Sequence, residues 1–459
     1  MAATSLGASH LVLSPRAGML YGPALLWLVF IVHVLKYPAF EHGPRYALAT
    51  GRSLVEGYAK VPGPRRWAVW CFVLFTGIQG IAVAVAVTSV AASALRVSVG
   101  GLSLCLWGVV VATVVLGLLW LGRFPAMEAA NKVMMGVLAL VTVSTFLSSP
   151  PSAGAWVQGM RFALPEGSVV LAAAIVGWLP TGLDVSVWHS LWALEVESRW
   201  RDEGGAEASG SEEAGQGEEA GQGEEAGRGE EAGGHPDAGA RLRRLRRGLL
   251  DMRVGYGASF VLAVLFLFLG AQVPLSIGKE AEGAGVALSI SKAYASILGP
   301  WIVPVFMTAA FVGMFATAYI VMDGFPRAFA EGLRVALGRS DPAARGPQGA
   351  EAPGESSRDD PSHRHGPLFS RVYWVGLVTV WATTCLIHLA WPRPVFLALV
   401  GALLGWGVSP LYYLLNHYCV KRHITDERFL PHPVVRGASW VGIVFVTAAL
   451  ALWVVVQLR

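Results

Sequence analysis

Asp184 lies inside an apolar stretch, residues 167 to 198 (GSVVLAAAIVGWLPTGLDVSVWHSLWALEVES), close behind Pro180, Thr181 and Gly182. A carboxylate in such surroundings is costly unless it pairs or binds a cation. Pro and Gly beside it interrupt the helical hydrogen-bond ladder and free carbonyl oxygens, the Thr181 carbonyl among them. One carboxylate with free carbonyls at mid-membrane is tolerated only where these groups line a cavity or bind something. A second polar group stands near the start, MAATSLGASHLVLSPRAGMLYG, where Gly7 and Ser9 precede His10. The His10 imidazole offers a nitrogen ligand, a water-mediated contact or a packing hydrogen bond. His189 offers a gate, a proton relay or a helix-packing hydrogen bond on the same chemistry. Arg16 is a cation in the same region, and it would repel a bound cation unless Glu41, Glu128 or Asp184 neutralises it.

These groups need elements that hold them away from water. As one helix at about 1.5 Å per residue, 167 to 198 would reach roughly 48 Å, well past the roughly 30 Å hydrocarbon core. A broken helix with an unwound centre is predicted, and such centres line cavities that bind something. The chain is 54% hydrophobic and only 14% charged, with its apolar residues in long blocks, so it reads as a polytopic membrane protein. Spans are predicted near residues 2 to 21, 23 to 42, 67 to 95, 99 to 121, 125 to 147, 167 to 195, 249 to 275, 300 to 325, 369 to 391, 394 to 418 and 436 to 457, about eleven in all.

Alternate connections are basic, among them Arg45 to Arg66, Arg241 to Arg247 and Lys421 to Arg428. The positive-inside rule puts these, and the start of the chain, in the cytoplasm and the C-terminus outside. The net charge of +4 carries no nucleic-acid signal, because acidic residues collect in one loop. That loop repeats EEAGQG before RLRRLRR. Disordered cytoplasmic loops are expected at 199–247 and 339–367, between transmembrane segments 1–198, 248–338 and 368–459. Cys71, Cys105, Cys385 and Cys419 lie singly in apolar spans and read as small core residues. No phosphate loop, nucleophile motif or zinc-ligand spacing suggests an enzyme.

Several local sequences resemble the Nramp family of divalent-metal transporters. AGMLYGPALLW followed by ATGRSLVEGY is similar to its first-to-second span passage, and GRFPAMEA, with Glu128, to its fifth-span entry. VMDGF at 321 to 325 resembles its eighth-span VMEGF, and Trp188, His189 and Ser190 resemble its sixth-span LHS. The resemblance implies an all-α integral membrane fold of about eleven transmembrane helices. They would form a LeuT-like inverted 5+5 repeat, with helices 1 and 6 broken and a metal bound between them. The metal is cargo, so no cofactor is expected. The expected partners are a divalent ion and the bilayer, with no nucleic acid, and the chain is expected to be a monomer in a bacterial inner membrane.

The family signatures at the metal site, Asp-Pro-Gly-Asn and Met-Pro-His, are absent. Counting from Tyr21 and Gly22 places Gly7, Ala8, Ser9 and His10 on the first, and counting from His189 places Gly182, Leu183 and Asp184 on the second. The carboxylate has moved to the sixth span and an imidazole has entered the first. Gly182 replaces a thioether, which shifts selectivity toward harder ions such as Mn²⁺ or Mg²⁺, with Fe²⁺ also accepted by nitrogen and oxygen donors. The expected metal set is Asp184 for charge, His10, and the carbonyls of Gly7 and Thr181.

Gln79, Asn416 and Thr317 are further lining candidates, and Asp323 of VMDGF is expected to cap or gate. The third span, FTGIQGIAVAVAVTSVAASAL, has no carboxylate for a proton route, so uncoupled flux is expected. A short relay through Asp184 and His189 is the alternative. Lys36 with Glu41, Glu128 with Lys132 and Asp251 with Arg253 read as local pairs or snorkelling side chains. About ten residues precede Ser9 where a half-helix is expected, so Met1 is expected to lie within a longer reading frame. Two other classes fit the same architecture: a carrier of an amino acid or organic anion, and a non-transporting receptor or scaffold.

Overall fold

Long apolar runs satisfy their backbone polar groups within themselves only as helices, and the chain is helical almost throughout. The computed structural model describes residues 9–122, 124–197, 238–273, 284–339, 367–391 and 393–457. A wide π-helical turn, Ser9–Leu13, leads into α1 (Ser14–Tyr21). Gly22, at φ 57° and ψ −143°, makes a turn that a side chain would strain, and α2 (Leu26–Thr50) follows. Then come α3 (Leu54–Tyr58), α4 (Trp67–Ser98), α5 (Leu104–Trp120), α6 (Phe124–Ser148) and α7 (Ala153–Gly159). The sixth expected span is two helices, α8 (Val169–Trp178) and α9 (185–197), separated by a non-helical stretch that contains a cis Leu179–Pro180 bond. The remainder is α10 (Ala238–Ala271), α11 (Ala284–Leu298), α12 (Ile302–Ala336), α13 (Pro367–Ala390), α14 (Pro394–His423) and α15 (Pro433–Gln457).

Among the described residues, helices overlap the expected spans. Among the described residues, seven helical stretches are long and apolar enough to cross a membrane, or eight if the bent pair Lys132–Ser148 and Ala153–Gly159 is one span. The apolar helices Leu104–Trp120 and Val169–Trp178 are shorter. The break predicted in the sixth span is present. Gly7 lies outside the described residues, as do 198–237, 340–366 and the side chain of Glu128. The Arg241 to Arg247 cluster, expected in a disordered loop, is instead the first part of α10. There Arg241 donates to Ala49 O (2.5 Å) and sits over the Phe429 ring, and Arg244 pairs with Glu197 at 3.4 Å. The short helices α7 and α11 were not expected.

Two groups of helices frame the site. α4, α5, α12 and α13 pack on one another, with α4 lying along α12. Asp323 ties this group together, since it holds Arg327 through two hydrogen bonds (2.9 and 3.1 Å) and accepts from Tyr373 of α13 (2.7 Å). Near the same end of α12, the buried pair Arg334–Glu331 accepts a further hydrogen bond from Ser53, whose side chain and Glu56 form a capping box on α3. On the other side α1 packs on α10, α10 on α2, and α14 on both α8 and α2. Glu41 does not pair with Lys36: Arg45, one helical turn further on, takes Glu41 Oε1, while Arg253 reaches Glu41 Oε2 (3.4 Å) and Tyr37 rather than pairing locally. Neighbours at i and i+4 share a helix face, whereas Lys36 and Glu41 are five apart.

Candidate functional site

The unwound stretch between α8 and α9 sits against the π-helical turn, α2, α4 and α12. Pro180 has no amide hydrogen to donate, and Gly182 carries no Cβ, so the helix ends and its carbonyls turn to side chains of other elements. Ser9, in the π-helical turn, donates to Pro180 O at 2.9 Å. Gln79 of α4 donates through Nε2 to Asp184 Oδ1 at 3.1 Å. Lys36 of α2 donates to the carbonyls of Val176, Gly177, Leu179 and Thr181.

A cavity opens at this break. Ser9, Gln79, Thr181, Asp184 and Thr317 give it polar groups, and Val83, Val87, Trp178, Trp188, Ile320 and Phe325 form apolar walls. Trp188 packs edge-on against Phe325, with ring centroids 4.6 Å apart. Asp184 is 2% exposed and Gln79 3%, yet Asp184 Oδ2 and Gln79 Oε1 have no hydrogen-bond partner among the described residues. Buried oxygens are normally satisfied, so two such atoms on adjoining groups of one cavity mark a place for a ligand with positive charge or hydrogen to offer.

Gly182 has a steric role here. A Cβ at that position would stand 2.3 Å from Asp184 Oδ1 and 3.1 Å from Gln79 Nε2. Gly405 of α14 makes room on another side, where a Cβ would lie 2.9 Å from Gln79 Nε2. The absent thioether is therefore the condition for the carboxylate and the amide to meet.

Asp184, Thr181, Gln79, Thr317 and Ser9 all line the cavity. His10 lies next to it with both ring nitrogens engaged, Nδ1 with Ser9 Oγ at 3.1 Å and Nε2 with Ser259 Oγ of α10 at 2.7 Å. The Thr181 carbonyl accepts from Lys36 at 2.9 Å. His189 is outside the cavity lining, buried between Phe40 and Trp192. Arg16 is also outside the lining. Asn416 binds Ser186 (2.7 Å) and Tyr58 (2.5 Å) and serves as a cross-link between helices. Among the described residues no group of three His, Cys, Asp or Glu side chains comes together, so a cation here would rest on one carboxylate, neutral oxygens and water.

Residues 1–181 match the family model "Natural resistance-associated macrophage protein-like", the Nramp family. An uncharacterized protein of Pasteurella multocida (strain Pm70) is 26% identical over 356 residues, which cover 74% of this chain and 70% of that one. Among solved structures, a manganese transporter of Eremococcus coleocola has a TM-score of 0.64 at 14% identity, covering 98% of this chain and 84% of that one. Mhp1, a nucleobase-cation-symport-1 family transporter, has a TM-score of 0.54 at 12% identity over 98% and 89% of the two chains. With its membrane-length apolar helices, its match over residues 1–181 to the Nramp family model and a fold shared with these solved structures over nearly its whole length, this chain is an integral membrane protein similar to the Nramp family.

Proposed function

We propose that the chain transports divalent metal cations of the Mn²⁺, Mg²⁺ and Fe²⁺ class by alternating access. The observation that carries this reading is the buried Asp184 carboxylate at the break, with one oxygen held by Gln79 and the other without a partner among the described residues, beside the cavity. Asp184 Oδ2 and Gln79 Oε1 supply two ligands, Ser9 and Thr317 line the remainder, and water completes the shell of a hard ion. His10 positions Ser9 in this conformation and becomes a direct ligand only when its bonds to Ser9 and Ser259 exchange. The metal-transporting structural neighbour supports the same cargo class and favours transport over catalysis. Movement would come from α1, α8 and α9 shifting against the group formed by α4, α5, α12 and α13. The start of the chain and the basic connections would face the cytoplasm of a bacterial inner membrane. Flux is uncoupled from protons, since α4 presents Gln79 rather than a carboxylate to the site.

Purified protein in proteoliposomes is expected to take up Mn²⁺ and Mg²⁺ down their gradients with no matching change in internal pH. Acidification in step with metal entry would overturn the uncoupled form. Failure to move any divalent ion would overturn the metal reading. The apolar cavity walls and the cation of Lys36 beside the break favour an organic solute as the second reading, and uptake of a labelled organic solute without metal uptake would select it.

Gly182→Ala is expected to push the Asp184 carboxylate off Gln79 and weaken Mn²⁺ affinity by about tenfold, or about 1.4 kcal/mol. Calorimetric titration of Mn²⁺ into both proteins measures this. Unchanged affinity would show that the close approach of Gly182, Gln79 and Asp184 is not needed for binding.

A further inference from the structure

Behind the Asp184 cavity lies a second set of oxygens. Lys36 is fully buried in the middle of α2, and its Nζ donates at 2.9 Å to Leu179 O and Thr181 O and at 3.1 Å to Val176 O and Gly177 O. Val176 and Gly177 belong to the last turn of α8, whose carbonyls have no partner ahead of them because the helix stops at Trp178. Leu179 and Thr181 belong to the break itself. The negative end of the α8 dipole adds to the charge on these oxygens, and Asp184 lies close enough to act on the ammonium electrostatically.

An ammonium group has three hydrogens, and here four acceptors surround it. At least one oxygen is therefore held by charge without a hydrogen of its own. Carbonyl rings hold spherical cations in the same manner when they replace a hydration shell in ion-selective pores. Complete burial excludes snorkelling, which would carry the charged end to the membrane surface.

We propose that the carbonyls of Val176, Gly177, Leu179 and Thr181 form a monovalent-cation site, filled in this chain by the tethered ammonium of Lys36 and able to take a small free cation when that tether is removed. A resident ion of this kind holds the break between α8 and α9 in shape whether or not cargo is present. The site adjoins the cargo cavity at Thr181, and it stands whichever cargo the cavity takes.

The test compares the wild type, Lys36→Ala and Lys36→Met as full-length proteins in detergent. Each is purified and melted in KCl, NH₄Cl, methylammonium chloride or N-methylglucamine chloride at equal ionic strength. The wild type is expected to melt at one temperature in all four salts. Lys36→Ala is expected to melt lower in N-methylglucamine and to recover, saturably, by about 3–6 °C with K⁺, NH₄⁺ or methylammonium. Lys36→Met fills the space without a charge and is expected to stay low in every salt.

The proposal is overturned if Lys36→Ala melts identically in all four salts. It is also overturned if Lys36→Ala yields no folded protein in any of them, or if Lys36→Met matches the wild type. The readout is stability, so failure here leaves the transport assays unaffected, and a failure of metal uptake leaves this result standing.

Discussion

Asp184→Asn is expected to reduce Mn²⁺ uptake by about 100-fold or more, equivalent to at least about 2.7 kcal/mol, while the protein remains folded. The substitution keeps the shape of the side chain and an oxygen at Oδ1 for the Gln79 amide, so the hydrogen bond that positions it survives. It removes the negative charge, which in a buried cavity is the largest attraction the site has for a divalent ion. Folding should persist because Lys36, the nearby cation, keeps its four carbonyl acceptors.

Asn and Ala at position 184 separate two effects. Asp184→Ala also leaves the Gln79 amide without its acceptor inside the protein, so it should lose stability as well as uptake. Radiolabelled or fluorescence-detected Mn²⁺ entry into proteoliposomes, paired with a melting curve for each variant, measures both. Asp184→Asn proteoliposomes that take up Mn²⁺ at the wild-type rate would remove Asp184 from the cargo site.

The break around Asp184 was legible because three signals coincide within a few residues: a span too long for the bilayer, Pro180 with Gly182, and a lone carboxylate. The span positions were legible for the same physical reason, since about 20 apolar residues in a row have few other folds available. Lys36 was misread. Its nearest acid in sequence, Glu41, is five residues away and so on a different face, while Arg45 stands at the favourable spacing from Glu41. That spacing was a usable sign that Lys36 must find other partners, but carbonyls of residues 176 to 181 are about 140 positions distant and leave no mark in local sequence.

Ser9 was noted only by its place before His10 on the first motif, and its hydroxyl is what bridges the first span to Pro180. The engagement of both His10 nitrogens depends on Ser259, again a long-range contact. The RLRRLRR run looked like a loop because of its charge, yet Ala49, Phe429 and Glu197 give its arginines partners and the helix of α10 continues through it.

The second large effect is expected at the crossing of α1 and α10. A Cβ on Gly18 would fall 2.0 Å from Leu267 O and 2.7 Å from Ala271 N, and a Cβ on Gly270 would fall 2.1 Å from Pro15 O. The obstacles are backbone atoms on both sides, so no side chain can turn aside to make room. In a membrane, where lipid is as apolar as the helix surface, close backbone approach through small residues is a main source of helix association. The π-helical turn ahead of α1 also meets α10, at His10 and Ser259, so α10 holds the turn that delivers Ser9 to Pro180.

Gly270→Ala is therefore expected to destabilise the protein by more than about 3 kcal/mol, the upper end of ordinary overpacking, and Gly270→Leu to abolish recovery of monodisperse protein. Gly257, on the same helix, has nothing within 4 Å of its would-be Cβ. Gly257→Ala should be neutral or stabilising by up to about 1 kcal/mol through helix propensity alone. The pair isolates packing from propensity, because the chemical change and the helix are identical. Size-exclusion profiles and melting temperatures of the two variants decide the matter, and a Gly270→Ala protein as stable as Gly257→Ala would mean that α1 is not held by backbone contact. Since α1 continues from the turn that carries Ser9, a partly folded Gly270→Ala protein should also lose metal uptake, while Gly257→Ala should transport normally.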